Sequence, residues 1–244
     1  MPEGPSIVIL KEQVRKFKGK KILEIGGNTK VDFSSLLNQK IIDFKSFGKN
    51  FFICFKNGSV KIHFMLFGSY RIDEKKQAAP RLSILFKNGE LNFYACSVKL
   101  IHEDLNELYD WSADVMNENW NAAQARKKLK RIPETLVCDA LLDQNIFAGV
   151  GNIIKNEVLF RIKVHPKTRL GDLPPKKLTE LIKEARQYSF DFLEWKKQYV
   201  LKKHWLVHTR KICLRDGSAI IKEYLGVTNR RTFFCNTCQV LYSQ

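Results

Sequence analysis

The 244-residue sequence has few acidic residues and no long apolar run. Asp and Glu number 25 against 42 Lys and Arg, which gives a formal net charge of +17 and an isoelectric point near 9.6. No stretch of about 18 consecutive apolar residues is present, and the apolar run 7–10 is too short for a signal peptide. These absences argue against a membrane-spanning helix, a membrane partner and a secreted protein. The basic excess predicts a polyanionic partner, with nucleic acid favoured.

A disulfide framework is also not expected, because six cysteines without a secretory signal are typical of a reduced, cytosolic chain. Three of them lie in apolar stretches and are expected to be buried. These are Cys54, Cys96 and Cys138. The other three lie near the C-terminus. The sequence shows no internal repeat and no low-complexity tract.

The first half of the chain predicts one helix followed by strands. Apolar residues spaced at i, i+3, i+7 and i+10 predict a helix over residues 6–17, which Gly19 ends. Asn57-Gly58 and Asn88-Gly89 are strong hairpin signals. We therefore expect an antiparallel β-sandwich or barrel. Its predicted strands are 21–25, 40–44, 51–56, 59–65, 69–72, 81–86 and 90–100.

The second half of the chain predicts helices and then a short β-rich tail. The acidic, polar stretch 110–121 is interpreted as an interdomain linker. Predicted helices cover residues 122–130, 133–147 (opened by Pro133), 152–161 and 175–198. The tail covers 211–244. The expected fold is α+β, with a β-sandwich domain over 1–115 that carries an N-terminal helix, a helical domain over 116–209 and a β-hairpin finger over 210–244.

The chain begins with a pattern that suits amine chemistry. A small second residue favours removal of Met1, which leaves Pro2 as a free secondary amine. An α-amino group titrates near pH 7.7–8.0, so a useful fraction is neutral and can form a cationic Schiff base with an aldehyde or a sugar C1′. Glu3 can shuttle the protons that this chemistry needs. The alternative is an ordinary disordered start.

The stretch 143–153 predicts a phosphate-binding turn. A helix ends, Gly149 and Gly151 allow a tight turn with positive φ, and Asn152 starts the next helix. Backbone N–H groups at such a turn and helix N-terminus bind phosphate, and the Asn152 amide can donate to the same group. The alternative is a packing corner between two helices.

The C-terminal cysteines predict a metal site with one unusual ligand. Cys235 and Cys238 have the Cys-x-x-Cys spacing that presents two thiolates to a tetrahedral ion. The second pair reads Cys213-Leu214-Arg215-Asp216, so a carboxylate stands where a cysteine is expected. Asp oxygen also binds zinc. A structural Zn²⁺ site and a metal-free hairpin of the same shape both remain open.

Three motifs together resemble one known family. Pro2-Glu3-Gly4-Pro5, Ser46-Phe47-Gly48-Lys49-Asn50 and Gly149-Val150-Gly151-Asn152-Ile153, followed by Glu157, are similar to the formamidopyrimidine-DNA glycosylase/endonuclease VIII family of base-excision repair enzymes. The motifs occur in family order, and the resemblance runs from Pro2 to Cys238. It implies a helix–two-turn–helix motif and a C-terminal zinc finger held by Cys213, Asp216, Cys235 and Cys238.

The resemblance implies a role for each matching residue. Pro2 would attack C1′ of the damaged nucleotide, and Glu3 would act as general acid/base. Lys49 would contact the phosphates beside the lesion, and Asn152 would bind the backbone next to the flipped nucleotide. Without the other motifs, Lys49 would be interpreted as a solvated surface lysine. Glu157 would be a structural or site residue, with a plain helix-surface carboxylate as the alternative.

The resemblance also implies DNA contacts outside these motifs. Residues 63–68 match the segment that fills the gap left by an extruded nucleotide. His63 would lie near phosphate, and the apolar filling residues would be Met65, Leu66 and Phe67. A continuous core strand is the alternative. Arg230 matches the finger arginine, for which Arg231 could substitute. Ser6 stands where relatives often carry glutamate, which leaves lesion specificity open.

The resemblance therefore implies a bifunctional DNA glycosylase/AP lyase that removes oxidised bases, with pyrimidines favoured, through a Pro2 Schiff base and β,δ-elimination. The oxidised-purine branch and a non-catalytic DNA-binding protein on the same scaffold are the alternatives. The expected partner is duplex DNA with damaged bases or abasic sites. The expected protein is a monomer in the bacterial cytoplasm, associated with the nucleoid.

Overall fold

The computed structural model describes residues 2–243. Met1, whose removal the sequence predicts, lies outside the described residues. The chain divides into two compact units, Met1–Tyr109 and Asp110–Gln244. Each unit has its own apolar core.

The first unit begins with helix α1 (Gly4–Gln13), two residues earlier than predicted. Pro5 lies in the first turn, where its missing N–H costs nothing. A short 3-10 turn, Arg15–Phe17, continues the segment, and Gly19 (φ +77°) ends it as predicted. The buried side of α1 carries Ile7 and Leu10 into the core of this unit.

Six strands follow α1, and a short helix, α2 (Leu105–Leu108), ends the unit. The predicted strands 59–65 and 69–72 are one strand, whose pairing register shifts between Phe64 and Ser69. The predicted strands 21–25 and 40–44 begin too early, because Lys21 and Lys40 form only an isolated bridge. The strands are β1 (Glu24–Gly26), β2 (Asp43–Phe47), β3 (Asn50–Phe55), β4 (Gly58–Ile72), β5 (Leu82–Phe86) and β6 (Gly89–Ile101).

All six strands are antiparallel, in the order β1-β5-β6-β4-β3-β2. The long strands β4 and β6 contribute to both halves of the sheet. Residues 69–72 and 89–94 of these strands join β5 and β1, whereas residues 58–64 and 96–101 join β3 and β2. Apolar faces of both halves meet in one core, where the rings of Phe51 and Phe93 lie 6.1 Å apart. This is the predicted β-sandwich, and both Asn-Gly hairpins form within it.

Helices are the main regular secondary structure of the second unit. Three of its helices agree closely with the sequence: α3 (Ala122–Leu129), α5 (Asn152–Arg161) and α6 (Pro175–Lys197). The segment expected to be a linker packs within this unit, since Val115 is fully buried in its core. The tail forms a two-stranded hairpin of β7 (Ile221–Leu225) and β8 (Arg230–Phe234). No helix among residues 2–243 is both long and apolar enough to cross a membrane.

The long helix predicted from Pro133 to residue 147 is wrong. Only α4 (Val137–Ala140) is helical, and turns follow it. The Val137 amide donates to the Thr168 carbonyl oxygen, and Leu170 donates to Thr135. The backbone groups that a continuous helix would use are therefore bonded to a segment about thirty residues away.

Candidate functional site

The start of the chain is packed into the first unit. Glu3 is 4% exposed, and Pro2 is half-buried. The Glu3 backbone is extended (φ −99°, ψ 169°), and its carbonyl oxygen accepts a 2.8 Å hydrogen bond from the Ser6 amide in α1. The alternative of a disordered start is therefore wrong for residues from Pro2 onward.

Gly48 and Lys49 form the two-residue turn between β2 and β3, where Phe47 pairs with Asn50. Gly48 has φ +53°, in the left-handed region that favours glycine. The Lys49 side chain is half-buried. Because α1 packs against both β2 and β3, the helix that follows Pro2 and the turn that carries Lys49 are attached to the same pair of strands.

His63 lies on β4 opposite Asn50. Its Nδ1 is 3.0 Å from Asn50 Oδ1, and the Asn50 amide nitrogen donates to the Phe47 carbonyl oxygen. Burial, followed by the positive charges of Lys61 and Lys49, lowers the pKa of His63 below its usual value. The lowered pKa favours the neutral ring, in which one ring nitrogen donates and the other accepts. A hydrogen bond from His63 Nε2 to a phosphate oxygen needs a proton on Nε2, which the Nε2–H tautomer and the protonated ring both supply.

The register shift in β4 produces a bulge that projects apolar side chains into solvent. Residues 65–68 oppose only Ala95 of β6, which takes φ +47°. Met65, Leu66 and Phe67 are 57%, 63% and 84% exposed. A buried core strand is therefore excluded for these three positions. Exposed adjacent apolar side chains of this kind are typical of a contact surface.

The turn before α5 has the form that the sequence predicts, with one difference. Gly149 has φ +101°, but Gly151 is extended (φ −123°, ψ −163°) and immediately precedes α5. Gln144, which the sequence left without a role, holds the turn closed. Its Oε1 accepts from the Gly149 amide, and its Nε2 donates to the carbonyl oxygens of Leu142 and Val150.

Side chains near the N-terminus of α5 form hydrogen bonds with strand β8. Asn152 Nδ2 donates to the Arg231 carbonyl oxygen at 2.7 Å, which leaves its second N–H for another acceptor. Lys155, which is fully buried, donates to Thr232 Oγ1 at 2.7 Å. Asn156 Oδ1 accepts a longer bond from the Phe233 amide. The helix N-terminus with its predicted phosphate-binding residue is thus fixed to the hairpin.

Glu157 is fully buried, so the interpretation as a helix-surface carboxylate is wrong. Its Oε1 accepts from the amides of Leu206, Val207 and His208 at 2.8–3.0 Å, and its Oε2 accepts from Leu206 at 2.9 Å. Glu157 therefore has a structural role: its carboxylate fixes a backbone turn about fifty residues downstream.

The C-terminal cysteine cluster has the geometry of a metal site. Ligand atoms of Cys213, Asp216, Cys235 and Cys238 all lie within 4.8 Å of one another. The sulfur atoms of Cys213 and Cys238 are 3.7 Å apart, and Cys235 Sγ is 3.3 Å from Asp216 Oδ2. Tetrahedral zinc with Zn–S bonds of about 2.3 Å places two sulfurs about 3.8 Å apart. The cluster therefore fits a tetrahedral ion such as zinc.

Hydrogen bonds within the cluster hold Asp216 and the Cys235–Cys238 turn in place. Ser218 donates from both its hydroxyl and its amide to Asp216 Oδ1, and these bonds lower the pKa of Asp216. The Cys238 amide points at Cys235 Sγ at 3.4 Å. On β8 the side chains of Arg230 and Arg231 are exposed. Exposed arginines on a fixed hairpin are suited to phosphate binding.

The predicted site residues therefore lie in two groups. Pro2, Glu3, Lys49, His63 and the β4 bulge belong to the first unit, whereas Asn152, Arg230 and the cysteine cluster belong to the second. The sequence did not identify Gln144, Lys155 or Asn156. Only Gln144 carried a signal, because it lies inside the distinctive stretch 143–153.

Comparisons with known proteins match one family model to each of the two units. Residues 1–97 match the model of the formamidopyrimidine-DNA glycosylase N-terminal domain, and residues 112–198 match its H2TH domain. The chain is 32% identical to endonuclease 8-like 3 of Xenopus laevis over 222 residues, which are 85% of this chain but 36% of that protein. The chain thus spans about a third of that relative's length.

Two further comparisons cover nearly whole chains. Formamidopyrimidine-DNA glycosylase of Aliivibrio fischeri is 26% identical over 235 residues, 85% of this chain and 84% of that protein. The crystal structure of Lactococcus lactis formamidopyrimidine-DNA glycosylase, bound to DNA that contains an AP site, superposes with a TM-score of 0.85. It covers 97% of this chain and 99% of that one, at 22% identity. This likeness shows the fold.

Proposed function

Because the chain belongs to the formamidopyrimidine-DNA glycosylase/endonuclease VIII family, we propose that it is a bifunctional DNA glycosylase/AP lyase. Its substrate is duplex DNA that contains an oxidised base, with pyrimidines preferred, or an abasic site. The observation that carries the proposal is the ordered start of the chain, in which Pro2 is half-buried and Glu3 is buried directly before α1. We also propose that it acts as a monomer in the cytoplasm.

The proposed chemistry starts at Pro2. Its neutral imino nitrogen attacks C1′, the base leaves with a proton, and opening of the sugar ring gives an iminium ion. Removal of a C2′ proton then expels the 3′ phosphate, and a second elimination expels the 5′ phosphate. Water finally hydrolyses the imine and frees Pro2. Glu3 accepts and returns the protons in these steps.

Several side chains are proposed to hold the DNA backbone. Lys49 contacts the phosphates beside the lesion from the β2–β3 turn. Asn152 uses its second amide N–H for a phosphate near the flipped nucleotide, while Arg231 O fixes the first. Arg230 reaches the backbone from the hairpin. His63 joins them when its Nε2 carries a proton. The net charge of +17 attracts the duplex as a whole.

The β4 bulge is proposed to fill the gap that the flipped nucleotide leaves. Extruding a base costs a few kcal/mol, and apolar side chains inserted into the stack offset part of that cost. Met65, Leu66 and Phe67 are exposed, so inserting their side chains into DNA would remove no packing from the core. The preference for pyrimidines is proposed from this apolar bulge together with the Pro2-Glu3-Gly4-Pro5 opening. Ser6, which stands where relatives often carry glutamate, supports neither branch.

An excision assay tests the function. We expect duplex oligonucleotides with thymine glycol to be cut at the lesion, with phosphate at both new ends, and those with 8-oxoguanine to be cut at least about tenfold more slowly. A Leu66→Ala variant should cut thymine glycol more slowly and an abasic site nearly normally. Faster cutting of 8-oxoguanine would assign the oxidised-purine branch. Tight binding of abasic DNA without any cutting would instead support the alternative of a non-catalytic DNA-binding protein.

We propose that Cys213, Asp216, Cys235 and Cys238 bind a structural Zn²⁺. The ion would crosslink the hairpin to the loop 213–218. Metal analysis of protein purified without added zinc should give about one zinc per chain, and Cys235→Ser should remove it. Asp216→Cys should retain zinc longer against a chelator, because it adds a fourth thiolate. The matched change Cys54→Ser lies in the other unit and should leave the zinc content unchanged. Metal-free wild-type protein would overturn this assignment.

A further inference from the structure

The second unit has an apolar groove that the proposed chemistry does not use. It lies between α3 and α6 and has a volume of about 620 Å³, within the range of pockets that bind ligands. Ala123 of α3 and Ile182 of α6 line it, together with the aromatic rings of Trp120 and Phe190. Phe190 is 36% exposed although it is a large apolar side chain.

The groove is bordered by positive charge alone. Arg126, Lys183 and Arg186 line it, and none of the described residues that line it is acidic. Arg126 donates to Thr179 Oγ1, and Arg186 donates to two backbone carbonyl oxygens, those of Val115 and Asn117. Neutral acceptors therefore hold both arginines in place. Within residues 2–243, no carboxylate forms an ion pair with these three cations.

This combination identifies the chemistry of an occupant. An apolar floor favours an aromatic or branched aliphatic side chain, and cations without an ion-pair partner favour carboxylates beside it. The backbone of duplex DNA would satisfy the cations but leave the apolar floor exposed to water. We propose that this groove binds an acidic peptide segment of a partner protein. Its apolar side chain packs between Trp120 and Phe190, while its carboxylates pair with Arg126, Lys183 and Arg186.

A peptide selection tests the proposal without assuming a sequence. The 244-residue protein is used to select from a random peptide library displayed on phage, and the selected peptides are then synthesised with a fluorescein label. We expect them to combine acidic residues with an aromatic or branched aliphatic residue. Selected peptides that lack either feature, or no selection above background, would overturn the proposal.

Matched variants locate the binding by fluorescence anisotropy. Lys183→Glu in the groove and Ala123→Trp, which fills it, should each weaken the selected peptide at least about tenfold. Lys127→Glu makes the same charge change on an exposed position of α3 outside the groove lining and should have less than a twofold effect. The affinity of Lys183→Glu for labelled abasic duplex should match that of Lys127→Glu. Equal loss of peptide binding in both lysine variants would overturn the proposal. A loss of DNA affinity confined to Lys183→Glu would also overturn it and would identify the groove as a DNA-binding surface.

Discussion

A chain whose Pro2 nitrogen is acylated is expected to form no borohydride-trapped adduct with abasic DNA and to lose at least about 10⁴-fold in cleavage rate. The reason is that an amide nitrogen is neither basic nor nucleophilic and cannot form an iminium ion at C1′. Inserting one lysine between Met1 and Pro2 produces this state, because a large second residue prevents removal of the initiator. The wild type should give the adduct in high yield, after mass spectrometry has verified that the purified chain begins at Pro2.

Two controls separate lost chemistry from lost structure. The lysine insertion should bind abasic duplex within a fewfold of the wild type, because Lys49, Asn152 and Arg230 are unchanged. A Pro2→Gly variant retains a free primary amine but loses the ring that fixes φ, so any adduct should form much more slowly. An insertion variant that is still trapped at the normal rate would show that another amine, such as that of Lys49, attacks the sugar.

Replacing Glu157 by glutamine is expected to destabilise the second unit by about 3 kcal/mol. The carboxylate accepts four hydrogen bonds from the amides of Leu206, Val207 and His208. Glutamine has one acceptor oxygen, and its NH₂ group would face backbone N–H donors at a fully buried site. The melting temperature should fall by about 2–4 °C for each kcal/mol. Hydrogen exchange at the amides of residues 206–208 should become faster.

The matched control for this change is Glu194→Gln on α6. Glu194 is 61% exposed at its side chain and lies 3.9 Å from Lys197, a surface pair that contributes little. Glu194→Gln should alter the free energy of unfolding by less than about 0.5 kcal/mol. Equal melting temperatures for the two variants, with normal exchange at residues 206–208, would show that the turn does not depend on the Glu157 carboxylate.

The features that the sequence predicts best are those with local causes. The Asn57-Gly58 hairpin, α5 and α6 follow from turn chemistry and from the spacing of nearby apolar residues. The helix predicted from Pro133 failed because the amides of Val137 and Leu170 bond across about thirty residues of sequence. Periodicity within one window carries no information about such partners.

The same distinction applies to the candidate site. The resemblance identified Pro2, Lys49 and Asn152 from short motifs, and their roles remain proposals. It did not reveal what holds them. Lys155 bonds to Thr232, which is 77 residues away, and Glu157 bonds to a turn about fifty residues away. A lysine and a glutamate on a helix are usually solvated, so only the fold shows that these two are buried supports.

The bulge in β4 separates positions that the fold constrains from positions that it does not. Its base is constrained, because a Cβ on Gly68 would lie 2.6 Å from the Phe64 side chain and 2.8 Å from the Ala95 carbonyl oxygen. Its tip, by contrast, carries side chains that contribute little to folding. Under the proposed function, substitutions at Met65, Leu66 and Phe67 would change contacts with DNA more than the stability of the fold. Under the same proposal, lesion preference could change at this tip without compensating changes elsewhere in the chain.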